Sequence, residues 1–299
     1  MSGFTAADLP DLTGRTAIVT GASSGLGLET GKALAAHGAR VILAVRNEAK
    51  GRQAAELMPG PGTTEVRLLD LASLDSVRAF AASWSQEPID LLINNAGIMI
   101  PPLGRTEDGF ESQFGTNHLG HFALTNLLLP HITENGRIVT VSSSVHQIGG
   151  IDFDDLNWER KKYRPWRAYG QSKLANLLFT AELQRRLTEA GSRILSMAAH
   201  PGYAATGLQS GGSTLSGFAM NKLGNRFLAQ DAASGALPTL YAATQNLPGN
   251  TFAGPRNGLR GTPAPCSRSK AARDDQTARR LWQASESLTG VTLPEIQQR

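Results

Sequence analysis

The stretch Thr20-Gly21-Ala22-Ser23-Ser24-Gly25-Leu26-Gly27 sits between an apolar run at 16–20 and a run of helical spacing at 25–37. A glycine-rich turn that leads from a buried strand into a helix start turns free backbone N–H groups outward. Those groups suit the pyrophosphate of a dinucleotide. The glycines follow G-x-x-x-G-x-G rather than G-x-G-x-x-G, so at this point a plain connecting turn stands as an alternative. No Gly-Lys-Ser/Thr closes the stretch, and a lysine-bearing loop for terminal phosphates is not expected.

Outward from this turn, apolar runs rich in β-branched residues alternate with helical stretches. Strands are expected at 16–20, 40–45, 65–69, 89–94, 137–142 and 193–199. Helices are expected at 25–37, 75–85 and 168–189, the first stopped by Gly38. Continuous apolar strands separated by helices specify a doubly wound α/β fold, a parallel sheet with helices on both faces. Beyond Pro201, Gly, Ser and Thr dominate 207–216 and Gly/Pro pairs punctuate 248–265, which predicts loop-rich covering structure. Helical spacing returns at Ala271, Ala278, Leu281, Trp282 and Leu288 and stops at Gly290. One domain spanning 1–299 is expected, with a substrate lid around 203–230 and a covering segment at 248–299. Tyr203, Leu208, Leu215, Phe218, Met220 and Leu223 would give that lid an apolar or mixed lining.

Composition narrows the classes. Apolar residues make up 40% of the 299 and charged residues 18%, which fits a compact globule and not a disordered chain. The single cysteine, Cys266, cannot pair within the chain, so a reducing cytoplasm is expected. No run of 18 apolar residues occurs, and Asp8 and Asp11 interrupt the start, so neither a membrane span nor export is expected. A formal charge of +4 is too small an excess to indicate a nucleic-acid partner. His118, His121, His131 and His146 lack metal-ligand spacing and read as structural or surface residues; no metal is expected.

Candidate site residues lie where a parallel sheet presents its carboxyl ends. The strand at 40–45 is followed by Arg46 and Asn47, where an acid would accept the ribose hydroxyls of NAD. A carboxylate there would repel a 2′-phosphate and an arginine would pair with it, so NADP(H) is favoured over NAD(H). Asp70, Leu71, Asn94, Ala96 and Gly97 end the next two strands and line the same crevice. Tyr169 and Lys173, four apart on a helix, share one face. A tyrosine titrates near ~10, and lowering it by two or three units takes roughly 3 to 4 kcal/mol of phenolate stabilisation. A neighbouring ammonium and a positively charged nicotinamide would supply it. Ser142-Ser143-Ser144 at a strand end offers a hydroxyl to hold a substrate oxygen while Tyr169 exchanges its proton.

Together, T-G-A-S-S-G-L-G, N-N-A-G at 94–97, N-H-L-G at 117–120, the serine-rich strand end, Tyr169-Gly170-Gln171-Ser172-Lys173 and His200-Pro201-Gly202 resemble the short-chain dehydrogenase/reductase family over residues 14–207. The subgroup similar to retinol dehydrogenases and WW-domain oxidoreductases is the nearest in pattern. The resemblance implies a Rossmann-like fold and hydride transfer between a nicotinamide and an alcohol or carbonyl of small-molecule size. It implies catalytic roles for Tyr169 as acid/base, Lys173, a serine placed at Ser143 with Ser144 as the other choice, and Asn117 holding a relay water. For the cofactor it implies contacts from Gly21, Ser23, Ser24, Gly25, Leu26, Gly27, Pro201, Gly202 and, at the nicotinamide carboxamide, Thr206. A dimer or tetramer built from helix packing is also implied, unless the C-terminal helix seals the chain on itself. Tyr163 has Arg167 where a lysine is required and is not the acid/base. The basic, aromatic segment 151–167 is an insertion relative to compact members, read as a solvated loop at the rim. The N-terminal anchor of many retinol dehydrogenases is not expected here, and retinoid chemistry is not carried over. The competing class is a non-catalytic NADP(H)-binding sensor, which would typically lack the tyrosine and lysine retained in this sequence.

Overall fold

The computed structural model describes residues 3–85, 87–202 and 232–296. Strands β1 (Thr16–Thr20), β2 (Arg40–Val45), β3 (Thr63–Leu68), β4 (Ile89–Asn94), β5 (Ile132–Val141), β6 (Leu195–Ala199), β7 (Phe252–Pro255) and β8 (Pro263–Pro265) form one eight-stranded sheet. Its order is β3-β2-β1-β4-β5-β6-β7-β8, parallel throughout except for the β7–β8 pair. Strand order reverses between β1 and β4, the switch point at which a doubly wound sheet opens a ligand crevice.

Strand residues alternate between two cores. Ile18, Ile42 and Leu92 face one layer, and Ala17, Val19, Val41, Leu43, Leu91 and Ile93 face the other. Helices α1 (Gly25–Ala36), α2 (Glu48–Glu56) and α7 (Ala232–Thr244) cover the second layer through Leu34, Ala54, Ala236 and Leu240. Helices α3 (Leu74–Ala82), α5 (Gly120–Leu128) and α6 (Pro165–Glu189) cover the first through Val77, Phe122, Phe179 and Leu183. A single turn, α4 (Ser112–Phe114), and a π-helical turn, Gly115–Leu119, lead into α5. The C-terminal helix α8 (Asp275–Thr289) begins at Asp274, which accepts from the Thr277 amide at 2.7 Å, and ends at Gly290 with φ 62°. Its Trp282 is 2% exposed and packs on Phe122 of α5 and Phe179 of α6.

The structure corrects the expectation of loops beyond Pro201. Helix α7 forms despite Gly235 and Pro238, because Ala236, Leu240 and Ala243 are buried against the sheet and core packing outweighs local propensity. β7 and β8 extend the sheet through a Gly/Pro-rich stretch, which an edge strand tolerates. β5 starts at Ile132 and not 137, and its pairing with β4 is irregular between Ile132 and Arg137. α6 starts at Pro165, whose fixed φ suits the first helical turn. The expected lid at 203–230, with its apolar residues and Thr206, lies outside the described residues.

Candidate active site

At the switch point the glycine-rich turn lies directly on the N-N-A-G turn. Gly21 and Gly25 take φ of 68° and 55°, which a side chain would strain. A Cβ on Gly21 would come within 3.0 Å of the Ala96 Cα, and one on Gly27 within 2.5 Å of the Gly21 carbonyl oxygen. Gly27 is buried and lets the turn pack closely on itself. Ser24 caps α1 in extended backbone without spending its side chain on the helix, and it is exposed. Ser23, Gly25 and Leu26 are partly exposed around the helix start. The bare, kinked cradle at a helix N-terminus fits a dinucleotide pyrophosphate.

Arg46 is exposed at the end of β2 and makes no ion pair among the described residues. Glu48 instead pairs with Arg52 at 2.5 Å. Asn47 caps α2, accepting from the Lys50 amide at 2.9 Å, so its carbonyl is already used. Asp70 likewise accepts from Ala72 at 2.9 Å. Leu71 is 6% exposed with its side chain in the core and its carbonyl oxygen against Gly120. Asn94 is 0% exposed, with its side-chain amide donating to the Thr125 hydroxyl at 2.9 Å, so its side chain braces the end of β4.

A buried chain that sequence reasoning missed joins this cradle to Asn117. The amides of Asn95 and Ala96 each donate to the Thr20 hydroxyl at 2.9 Å, and that hydroxyl meets His121 Nε2 at 2.9 Å. His121 Nδ1 faces the Asn117 carbonyl at 3.1 Å, which can only accept, so the ring hydrogen is on Nδ1. The spacing of four between Asn117 and His121 in a helix was the available signal. Asn117 itself accepts from Ile98 N at 2.8 Å and donates to the Ile98 carbonyl at 2.9 Å and the Ser172 hydroxyl at 3.0 Å. Its amide hydrogens are spent on protein, which leaves only oxygen lone pairs for the expected water.

Tyr169 and Lys173 project from α6 into the crevice as their spacing requires. Lys173 Nζ stands 5.6 Å from the Tyr169 ring centroid and donates to the Val141 carbonyl at 3.1 Å. A Cβ on Gly97 would lie 3.0 Å from Asn117 Oδ1 and 3.5 Å from Lys173 Nζ, so the bare Gly97 opens onto both. Of the three serines, Ser142 is committed to the Lys173 carbonyl at 2.7 Å. Ser143 opens the 3₁₀ turn Ser144–Ile148, accepts from Val145 N at 3.2 Å, and directs its hydroxyl at the Tyr169 phenol, a contact Ser144 lacks among the described residues. Pro201 and Gly202 are partly exposed beside this centre; Gly202 has φ 69° and donates to His200 Nδ1 at 3.2 Å.

Two opposed effects act on the phenol. Burial pushes Tyr169 up to about 12, and the Ser143 hydroxyl offsets this only in part. Burial also draws Lys173 down to about 8. The protein alone therefore keeps the phenol protonated and does not pre-form a phenolate, because desolvation outweighs the stabilising contacts.

Tyr163 donates to Glu111 at 2.9 Å and accepts from Gln113 at 2.9 Å, a structural role. In the rim segment, Asp155 gathers the amides of Glu159, Arg160 and Lys161. A cavity of about 590 Å³ lined by Leu129, Ile132, Glu134, Ser192 and Ile194 sits at the opposite, amino-terminal end of β5. Among the described residues no group of three or more metal-ligating side chains occurs, and no helix is long and apolar enough to cross a membrane.

Residues 15–214 match the short chain dehydrogenase family. Retinol dehydrogenase 13 of Homo sapiens is 44% identical, over 96% of this chain and 88% of that protein. A crystal structure of an uncharacterized protein from Mycobacterium Paratuberculosis is 53% identical with TM-score 0.85, covering 98% of this chain and 100% of that one. A solved protein from Beutenbergia cavernae, described as a NAD(P) dependent gluconate 5-dehydrogenase with NADP bound at low occupancy, is 25% identical with TM-score 0.58, over 78% of this chain and 91% of that one.

Proposed function

Because the chain belongs to the short chain dehydrogenase family, is similar there to retinol dehydrogenases and is thus an NAD(P)-dependent oxidoreductase, we propose that it reduces an apolar aldehyde or ketone with NADPH, Tyr169 donating the proton. The observation that carries this reading is the grouping of Ser143 and Lys173 about the Tyr169 phenol, with the bare Gly97 against Lys173 Nζ. When bound, the nicotinamide supplies a hydride to the carbonyl carbon. Ser143 orients the carbonyl oxygen by hydrogen bonding, and Tyr169, protonated across the neutral range, delivers its proton to that oxygen as charge develops. Lys173, drawn to about 8, holds ribose hydroxyls and stabilises the phenolate left behind. The Gly21–Gly27 cradle takes the pyrophosphate, Arg46 the 2′-phosphate and Thr206 the carboxamide. We take the whole chain to act as one unit in a reducing cytoplasm.

The apolar substrate class follows from the names of the relatives, and a panel of aliphatic, aromatic and polyene aldehydes, retinaldehyde included, tests it by loss of NADPH absorbance. Tyr169→Phe should lower turnover about 10²-fold or more with NADPH affinity intact, as expected for loss of a general acid. Wild-type turnover in that variant would discard the mechanism.

A further inference from the structure

The turn that carries Ser143 is clamped from two sides. Against α6 the contact is backbone on backbone: a Cβ on Gly149 would come within 2.2 Å of the Gly170 carbonyl oxygen, and one on Gly170 within 3.0 Å of Gly149 N. On the other side stands His146, 1% exposed and edge-on to Phe252 of β7 at 5.6 Å. Its Nδ1 lies 2.7 Å from the Ser143 carbonyl oxygen, and its Nε2 lies 3.2 Å from the Ser269 amide nitrogen. The carbonyl can only accept and the amide can only donate, which leaves one arrangement: a neutral ring with its hydrogen on Nδ1. Ser269 belongs to the arm between β8 and α8, which Arg268 ties down by donating to the Asn250 carbonyl at 2.6 Å.

We propose that His146 is a positioning residue for Ser143: its Nδ1–H fixes the Ser143 carbonyl and so aims the hydroxyl at Tyr169, while Nε2 makes that aim depend on the docked Ser269 arm. The inference rests on Ser143 and Tyr169 forming the reaction centre described above. It adds a role for a histidine whose only other visible work is packing, and it gives the C-terminal arm a part in the chemistry at a distance from the substrate.

Three variants separate the contacts. His146→Phe keeps the ring on Phe252 and removes both hydrogen bonds; His146→Asn returns an N–H near the Nδ1 position; His146→Gln reaches toward Ser269 only. The Phe and Gln variants should lose about 10- to 100-fold in kcat, the scale that misplacing a reacting group brings, and the Asn variant, which keeps the Ser143 contact and loses the Ser269 one, should fall between them and wild type. Kd for NADPH, read by fluorescence, should be unchanged in all three. A Phe variant with wild-type kcat overturns the proposal, as does an Asn variant that falls as far as Phe. Should the Phe protein fail to fold, Asn against Gln makes the same contrast. In the wild type, the ¹⁵N ring signals of His146 should report hydrogen on Nδ1, and hydrogen on Nε2 overturns the assignment. If the wild type reduces no carbonyl, the proposed activity fails, and the ring signal then supports or overturns the His146 contact on its own.

Discussion

In the proposed function Arg46 selects the cofactor by its charge. It is exposed and unencumbered because Glu48, two residues on, is held by Arg52. A charge-assisted contact with a 2′-phosphate contributes about 1.5–3 kcal/mol, so Arg46→Asp should raise KM for NADPH roughly 10- to 100-fold. KM for NADH should fall or hold. Steady-state kinetics with both cofactors check this, and equal losses would remove Arg46 from the phosphate. At the same scale the sequence was legible where spacing fixes placement, as with Tyr169 and Lys173 on one helix, the Lys173 Nζ 5.6 Å from the Tyr169 ring centroid. It did not tell that the side chains of Asn94 and Leu71 are buried, at 0% and 6% exposed. Only the pleat, set by which neighbours each strand pairs with, determines which side of the crevice floor a residue faces.

Among the elements, α8 shows what periodicity can foretell. Its apolar spacing and Gly290 stop were readable, and its partner was not, since only the fold brings Phe122 and Phe179 to the same place. Trp282 stacks on Phe179 at 16° between planes, and the Arg186 guanidinium lies 4.5 Å from the Trp282 ring. Trp282→Ala should cost about 3–5 kcal/mol, read as a lower denaturant midpoint with the slope unchanged. A loss under about 1 kcal/mol would mean that the helix is not docked as described. α8 covers the face of α6 that carries Phe179. Helix α7 and strands β7 and β8 were illegible for a different reason: Gly235, Pro238, Pro255 and Pro263 are local breakers, and only burial against the completed sheet overrides them.

For the whole molecule, acid is the weak point. His118, His121 and His200 are 1%, 1% and 4% exposed, and burial lowers them to about 3, 4 and 4 from the ordinary 6.5. Between those values and 6.5 the unfolded chain binds protons that the native state refuses, so stability rises with pH and drains away as pH falls through that window. Each group contributes a slope of up to about 1.4 kcal/mol per pH unit, on the order of 4 together, against a typical total of about 5–15 kcal/mol. Urea midpoints should therefore drop steeply between pH 6.5 and 5, and equal midpoints at both would show that these rings are solvated. The outermost strand, β8, bears on a separate hazard. Arg256 donates to Thr262 and Cys266 donates to Phe252, so alternate residues of β8 face β7 and Pro263 and Pro265 hold the positions facing away. Where another strand would look for amide hydrogens, it meets pyrrolidine rings. The border is thus a dead end for fibril growth, and replacing both prolines with valine would turn it into a template for aggregation.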